Sequence, residues 1–184
     1  MVPKKEKSFR PVIDFRSVND VTVDDHYPLA VLSDLLMSLG RGNKIFTSME
    51  LLSGYWQVPL ASDSCEVMEF SKPSGHYEWL RMPFGLKSAP LTFQRMINTI
   101  FTGLLGKTVF AYLDDIIIAS KDHESHLKNL TVVLQKLQGA GLKAKLTKCE
   151  FLKAKISFLG HVVDGKGILA VDGKVMAVQT FSTA

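Results

Sequence analysis

The sequence has only two cysteines in 184 residues, Cys65 and Cys149, and no pairing pattern surrounds either. That excludes a disulfide framework and a four-cysteine metal site, and it suits a reducing compartment, cytoplasm or nucleus. Long apolar runs are also missing. The longest strong one covers residues 109–113, against the roughly 18 residues that a membrane-spanning helix needs. No apolar stretch follows the lysines near Met1, so a soluble chain without an export signal or a membrane partner is expected. Charge of one sign is scarce: 22 Lys and Arg against 18 Asp and Glu leave +4, which permits contact with a polyanion but identifies none. Internal repeats, low-complexity tracts and linkers are absent. What is present, 46% hydrophobic and 22% charged residues, is the balance of a single folded domain and excludes a disordered tail.

Lys4, Lys5, Lys7 and Arg10 make the opening basic, and residues 11–15 alternate well enough for a strand. A polar stretch, residues 17–25, follows. Pro28 stands where a first helical turn tolerates it, and Leu32, Leu35, Leu36 and Leu39 repeat at helical spacing before Gly40 and Gly42. Residues 45–51 read as a strand with Glu50 at its end, left through a turn or helical loop at Ser53-Gly54-Tyr55-Trp56-Gln57. Pro73-Ser74-Gly75 marks a hairpin within residues 70–79, and residues 83–86 forbid regular structure. Phe93, Met96, Ile97 and Ile100 predict a helix over residues 89–101, entered through Pro90.

Residues 109–113 and 116–119 are apolar strands separated only by Asp114-Asp115, which predicts a tight hairpin with both carboxylates at its tip. Leu127, Leu130, Leu134 and Leu137 predict an amphipathic helix over residues 123–138, stopped by Gly139 and Gly141. Residues 142–146, 156–163 and 168–171 read as strand and hairpin, with a helix starting near Val175. Strand, helix, paired strands, helix, strand is the split βαβ or ferredoxin-like plan, an α+β fold.

Asp-Asp pairs are common in turns because the side chains bond their own backbone. Asp24-Asp25 fits that description: it lies among polar residues, where a solvated turn accounts for it. Asp114-Asp115 differs, since strands too apolar for exposure flank it and no Asn-Gly or Asp-Gly eases the turn. Two like charges held there repel unless a cation neutralises them. Oxygen-only ligands favour Mg²⁺ or Mn²⁺, and with Glu50 the set would reach three carboxylates, enough for two ions and in-line phosphoryl transfer.

Other candidates carry less. His123 and His126 are spaced to reach one metal, yet no third ligand is near and a solvated polar face accounts for them. The basic opening could grip phosphates or simply be solvated, and Tyr55 and Trp56 could stack on a base or lie in a core.

Tyr112-Leu113-Asp114-Asp115 resembles the Tyr-x-Asp-Asp signature of reverse transcriptases, and the surroundings are similar to gypsy-type long-terminal-repeat retrotransposons and their retroviral relatives. The matching motifs run in order along nearly the whole chain. They include residues 2–5, 12–16 and 46–57, Gly75-His76-Tyr77-Glu78-Trp79, residues 81–86, Thr92-Phe93-Gln94-Arg95, Lys148-Cys149-Glu150-Phe151 and Phe158-Leu159-Gly160-His161.

The resemblance implies that residues 1–184 are one reverse transcriptase domain, a polymerase palm with part of the fingers, ending before the thumb. Glu50, Asp114 and Asp115 would be the metal carboxylates, for two Mg²⁺ with Mn²⁺ as substitute. Lys5 and Arg10, or Lys4 as the alternative lysine, would meet the nucleotide triphosphate. Tyr55 would be the steric gate against a ribose 2′-OH. Residues 83–90, with Phe84 and Gly85, would underlie the nucleotide and template. Tyr112, Phe158, Leu159, Gly160 and His161 would contact the primer and template. The implied partners are an RNA or DNA template with a DNA primer, deoxynucleoside triphosphates, and the remainder of a Pol polyprotein.

Two departures bear on activity. The family has aspartate where this chain has Glu50, and one added methylene moves the carboxylate by about 1 Å, a shift that can cost roughly 10²-fold. A palm without a thumb would not wrap a duplex, so processive synthesis by this chain alone is not expected. Three readings follow: an RNA-directed DNA polymerase domain; a catalytically impaired or domesticated remnant that binds nucleic acid or protein; and a metal phosphohydrolase, which leaves Tyr55 and residues 83–90 unexplained.

Overall fold

The computed structural model describes residues 2–3, 9–10 and 13–170. Lys4, Lys5 and the helix expected near Val175 lie outside the described residues, and of Arg10 only the backbone is described. In chain order, strands β1 (Val2–Pro3) and β2 (Phe9–Arg10) pair antiparallel and precede helices α1 (Arg16–Val21) and α2 (Leu32–Leu39). Then come β3 (Ile45–Glu50), a 3₁₀ turn (Gly54–Gln57), α3 (Ser62–Val67) and the hairpin β4 (Phe70–Lys72) and β5 (Gly75–Tyr77). Helix α4 (Ala89–Ile100), β6 (Val109–Tyr112), β7 (Asp115–Ser120) and α5 (His123–Gly139) follow. A second 3₁₀ turn (Leu146–Lys148) leads to β8 (Glu150–Lys153), β9 (Lys155–Phe158), β10 (His161–Asp164) and β11 (Gly167–Ala170).

The chain divides into two compact units, Met1–Pro28 with Ser53–Met96, and Leu29–Leu52 with Ile97–Ala184. In the second, a four-stranded sheet in the order β6-β7-β3-β8 is antiparallel throughout. That order, with the helices between strands in sequence, is the expected split βαβ plan.

Register separates the faces of this sheet, because alternate residues point to opposite sides. Phe46, Phe110, Ile117 and Ala119 join Leu35, Leu36 and Leu39 of α2 and Ile156, Phe158 and Val163 of β9 and β10 in one buried cluster. On the other face Thr47 pairs with Ile118, and its hydroxyl meets His126 Nε2 of α5 at 2.8 Å.

Several expectations need correction. Residues 13–15 form no strand: the Asp14 carboxylate accepts from the Arg16 backbone N–H at 3.1 Å and starts a helix instead. Helix α2 begins at Leu32, past Pro28. Residues 142–146 form a single bridge, Leu51 to Ala144, rather than a strand. Helix α5 buries His126, Val133 and Leu137, while Leu130 is half-buried and Leu127 and Leu134 are exposed, so the leucine stripe is split and only one side of it faces inward. Asp24 and Asp25 are not merely solvated: they pair with Lys87 at 2.9 Å and Arg95 at 2.8 Å. Among the described residues no helix is long and apolar enough to cross a membrane.

Candidate active site

Strand β3 is driven into the sheet centre by Ile45, Phe46, Thr47 and Met49, all buried, and it ends at Glu50. Across it, Glu50 pairs with Asp115, the first residue of β7, and Asp115 pairs with Tyr112, the last of β6. Directly opposed residues point to the same face, with Cα atoms about 4.5–5.5 Å apart. Glu50, Asp115 and Tyr112 therefore form a row on the face that carries Phe46, Phe110 and Ile117.

The expected tip at Asp114-Asp115 is shifted by one residue: β6 ends at Tyr112, whose pairing with Asp115 leaves Leu113 and Asp114 as the two loop residues, so only Asp114 is at the tip, Asp115 opens β7, and Leu113 sits at φ +53°. A positive φ at the first loop position is where a right-twisted hairpin prefers glycine; leucine there costs about 1–2 kcal/mol. Asp114 stays at the tip beside β3, its carbonyl accepting from the Leu51 N–H at 3.3 Å, and one of its carboxyl oxygens, Oδ1, is buried. Glu50 and Asp115 thus face each other, and Asp114 adjoins the residue after Glu50.

Charge at this end of the sheet is uneven. Burial, and then the negative charge of Glu50, push the Asp115 carboxyl above its ordinary range, with Lys148 pulling the other way. Glu50 is engaged by that lysine: Lys148 Nζ donates to Glu50 Oε1 at 2.6 Å. As the side chains stand, no three His, Cys, Asp or Glu residues among those described are grouped closely enough to hold an ion. The donor chemistry nonetheless fits a hard divalent cation, because the set is oxygen-only and its two facing carboxylates repel.

Lys148 has no role in the sequence reading, where it appears only within a matched motif. Its signal is spatial. The N–H of Lys145 donates to the Glu50 carbonyl at 2.8 Å, and the Leu146–Lys148 turn then carries Lys148 back over the strand end. An open cleft of about 610 Å³ lies there, with Glu50, Lys148, Glu150 and Lys153 on its walls.

The other singled-out residues fall in both units. In the first, Tyr55 stands in the Gly54–Gln57 turn, its ring 5.0 Å from Phe84 and 5.4 Å edge-on to Phe93. Trp56 stacks on Trp79 at 6.2 Å. Gly85 adopts φ +106°, a conformation that selects glycine, whereas a Cβ there would meet Phe15 Cδ2 at 3.4 Å, an ordinary contact. In the second unit, Leu159 at φ +48° and Gly160 at φ +77° turn β9 into β10 between the paired residues Phe158 and His161. Two positive φ values make this a tight primed hairpin. Phe158 is buried in the core cluster and Leu159 packs against it, which leaves the turn backbone and His161 as the outward features. His126 is not on a solvated face as expected: unlike exposed His123, it is buried, with Thr47 and Ser120 hydroxyls 2.8 and 3.1 Å from its ring nitrogens.

The chain is similar to known proteins over nearly its whole length. The family described as reverse transcriptase (RNA-dependent DNA polymerase) matches residues 2–163. The retrovirus-related Pol polyprotein from transposon 297 of Drosophila melanogaster is 44% identical over 98% of this chain, and that from transposon gypsy of the same species is 37% identical over 94%. The chain spans only 18% and 16% of those polyproteins. Among solved structures, the foamy viral protease-reverse transcriptase in complex with RNA/DNA hybrid matches with TM-score 0.83 and 26% identity, over 97% of this chain and 24% of that one. A form of it in complex with double-stranded DNA matches with TM-score 0.87 and 26% identity, over 97% of this chain and 31% of that one. With its carboxylate hairpin and split βαβ sheet, this chain belongs to the reverse transcriptase family.

Proposed function

We propose that this chain carries the nucleotidyl-transfer site of an RNA-directed DNA polymerase, with Glu50, Asp114 and Asp115 as its metal carboxylates. The observation that carries the reading is the register: Glu50 is opposite Asp115 at the tip of the Tyr112–Asp115 hairpin, with Asp114 beside it. The second unit would act as palm, the first as part of the fingers. Mg²⁺ ions, or Mn²⁺ in their place, would supply the charge that lowers the pKa of the primer 3′-hydroxyl and neutralises the triphosphate. The chain's own residues do the rest. Tyr55, whose ring packs on Phe84 and Phe93, would be the steric gate against a ribose 2′-OH. Phe84 and Gly85 lie beneath the nucleotide and template, and Lys5 with Arg10, or Lys4, meets the triphosphate. Tyr112 and the 158–161 turn steady the primer end. The substrates are an RNA or DNA template with a DNA primer and deoxynucleoside triphosphates, and the rest of a Pol polyprotein is the natural partner.

One observation favours a second reading. The carboxylate at the third metal position is a glutamate already paired with Lys148, which suits an impaired remnant that binds nucleic acid without extending a primer. Primer extension with Mg²⁺ and with Mn²⁺ separates the two. Metal-dependent addition of deoxynucleotides supports the polymerase. Primer-template binding without addition, by both the native chain and Glu50→Asp, supports the remnant.

A further inference from the structure

We infer that Lys148 is a positioning residue that competes with divalent cations for the Glu50 carboxylate and so sets the metal affinity of the cluster; this rests on the carboxylate reading above. The pair is built by the backbone rather than by a stray side chain. Leu52 N–H donates to Lys143 O at 2.9 Å, Lys145 N–H to Glu50 O at 2.8 Å, and Lys148 N–H to Lys145 O at 2.8 Å. The first two bonds tie the segment before β8 to the exit of β3, the third closes the turn that follows, and together they deliver the ammonium to Glu50 Oε1 at 2.6 Å. Cys149 closes the same turn further, its Sγ donating to Lys145 O at 3.3 Å.

Such a tether has little to do with folding stability. The two side chains are 43% and 33% exposed, and ion pairs of that exposure contribute little because solvent screens them and two long side chains are immobilised. Its consequence is local. A hard cation coordinates a carboxylate oxygen at about 2.0–2.1 Å, so a cation on Glu50 would stand about 4–5 Å from the ammonium. In water that repulsion, doubled for a divalent ion, amounts to roughly a 20- to 30-fold loss of affinity before screening, or about 3- to 10-fold after screening by salt. The ammonium must therefore leave Glu50 when a cation arrives, or the cation binds more weakly. The same pair holds the longer glutamate side chain toward β8 while no cation is bound.

The test measures Mn²⁺ binding to the full 184-residue chain, with free Mn²⁺ followed by its electron paramagnetic resonance and no polymerase assay involved. Lys148→Met and Lys148→Gln should both bind Mn²⁺ about 3- to 10-fold more tightly than the native chain. Lys148→Arg, which keeps the charge, should stay within about twofold, and Asp115→Asn should bind more weakly. Thermal melts at the native midpoint confirm that the lysine variants fold. If both neutral variants bind no more tightly than native while Asp115→Asn weakens binding, the competition is overturned and the carboxylate reading stands. If Asp115→Asn binds Mn²⁺ as the native chain does, the cluster is not the ion's site and both are overturned.

Discussion

Lys148 holds its ammonium 2.6 Å from Oε1 of Glu50, the carboxylate that closes strand β3. Glu50 thus lies between two demands, the lysine on one side and Asp115 in register on the other. An aspartate, which the resemblance implies for this position, would be one methylene shorter.

That difference gives the first prediction. Glu50→Asp should raise the rate of nucleotide addition on the order of 10²-fold, since misplacement of a reacting group by about 1 Å costs that much. Charge and oxygens are unchanged, so the gain should appear in kcat more than in primer-template affinity. Mn²⁺ should narrow the gap between the two forms. Pre-steady-state addition of one nucleotide measures it, and equal rates for glutamate and aspartate would remove Glu50 as the defect.

Tyr55 should control sugar selection. Phe84 and Phe93 fix its ring from two sides, so truncation leaves a gap that neighbours do not fill. Tyr55→Ala should lower the preference for dCTP over CTP, as a ratio of kcat/KM, by on the order of 10-fold or more, while Tyr55→Phe keeps it. A ratio unchanged in the alanine variant would show that the ring does not face the sugar.

His126 predicts how stability depends on pH. Burial, with the charge of His123 adding, holds its pKa below 6.5. The unfolded chain then binds the proton more readily, so the stability His126 contributes is complete above about pH 6.5–7 and is lost as pH falls from there toward the lowered folded value. His126→Gln should cost about 1–2 kcal/mol at pH 7.5 through the bonds to Thr47 and Ser120. The difference between native and variant should shrink by pH 5. Urea midpoints at the two pH values give the comparison, and a constant difference would refute the buried neutral imidazole.

The strained hairpin residue gives a fourth prediction. Leu113→Gly should change stability by less than about 1 kcal/mol, because relief of the positive φ is offset by the greater entropy of the unfolded chain. Leu113→Ile should destabilise by about 1–2 kcal/mol, since a β-branched residue is poorly tolerated at φ +53°. Thermal melts of the two variants decide it, and equal midpoints would place no strain at the turn.

The parts of the fold legible in the sequence are those whose stabilisation is local or periodic. The hairpin in residues 109–119 is legible because apolar β-branched runs bracket two aspartates, but its turn falls one residue earlier than expected, and it is that register which puts Asp115 opposite Glu50. Helices α1 and α3 are not, because RSVNDV and SDSCEV carry no apolar period. The inner face of α5 was hidden for a different reason: His126 is held by Thr47, 79 residues away, and a polar partner across the sheet outweighs the outward Leu127 and Leu134. Lys148 and Glu50 are 98 residues apart, and only the ties between the segment before β8 and the exit of β3 bring them together. Tertiary contacts decided each of these, and periodicity has no access to them.

The most direct test of the proposed site is addition of a single deoxynucleotide to a labelled DNA primer on an RNA template, by the full chain with Mg²⁺ or Mn²⁺. The account predicts metal-dependent addition by the Glu50→Asp form, slower addition by the native chain, and a fall on the order of 10²- to 10³-fold when Asp114→Asn or Asp115→Asn is introduced into either. Addition that persists at an undiminished rate in both asparagine variants would contradict it.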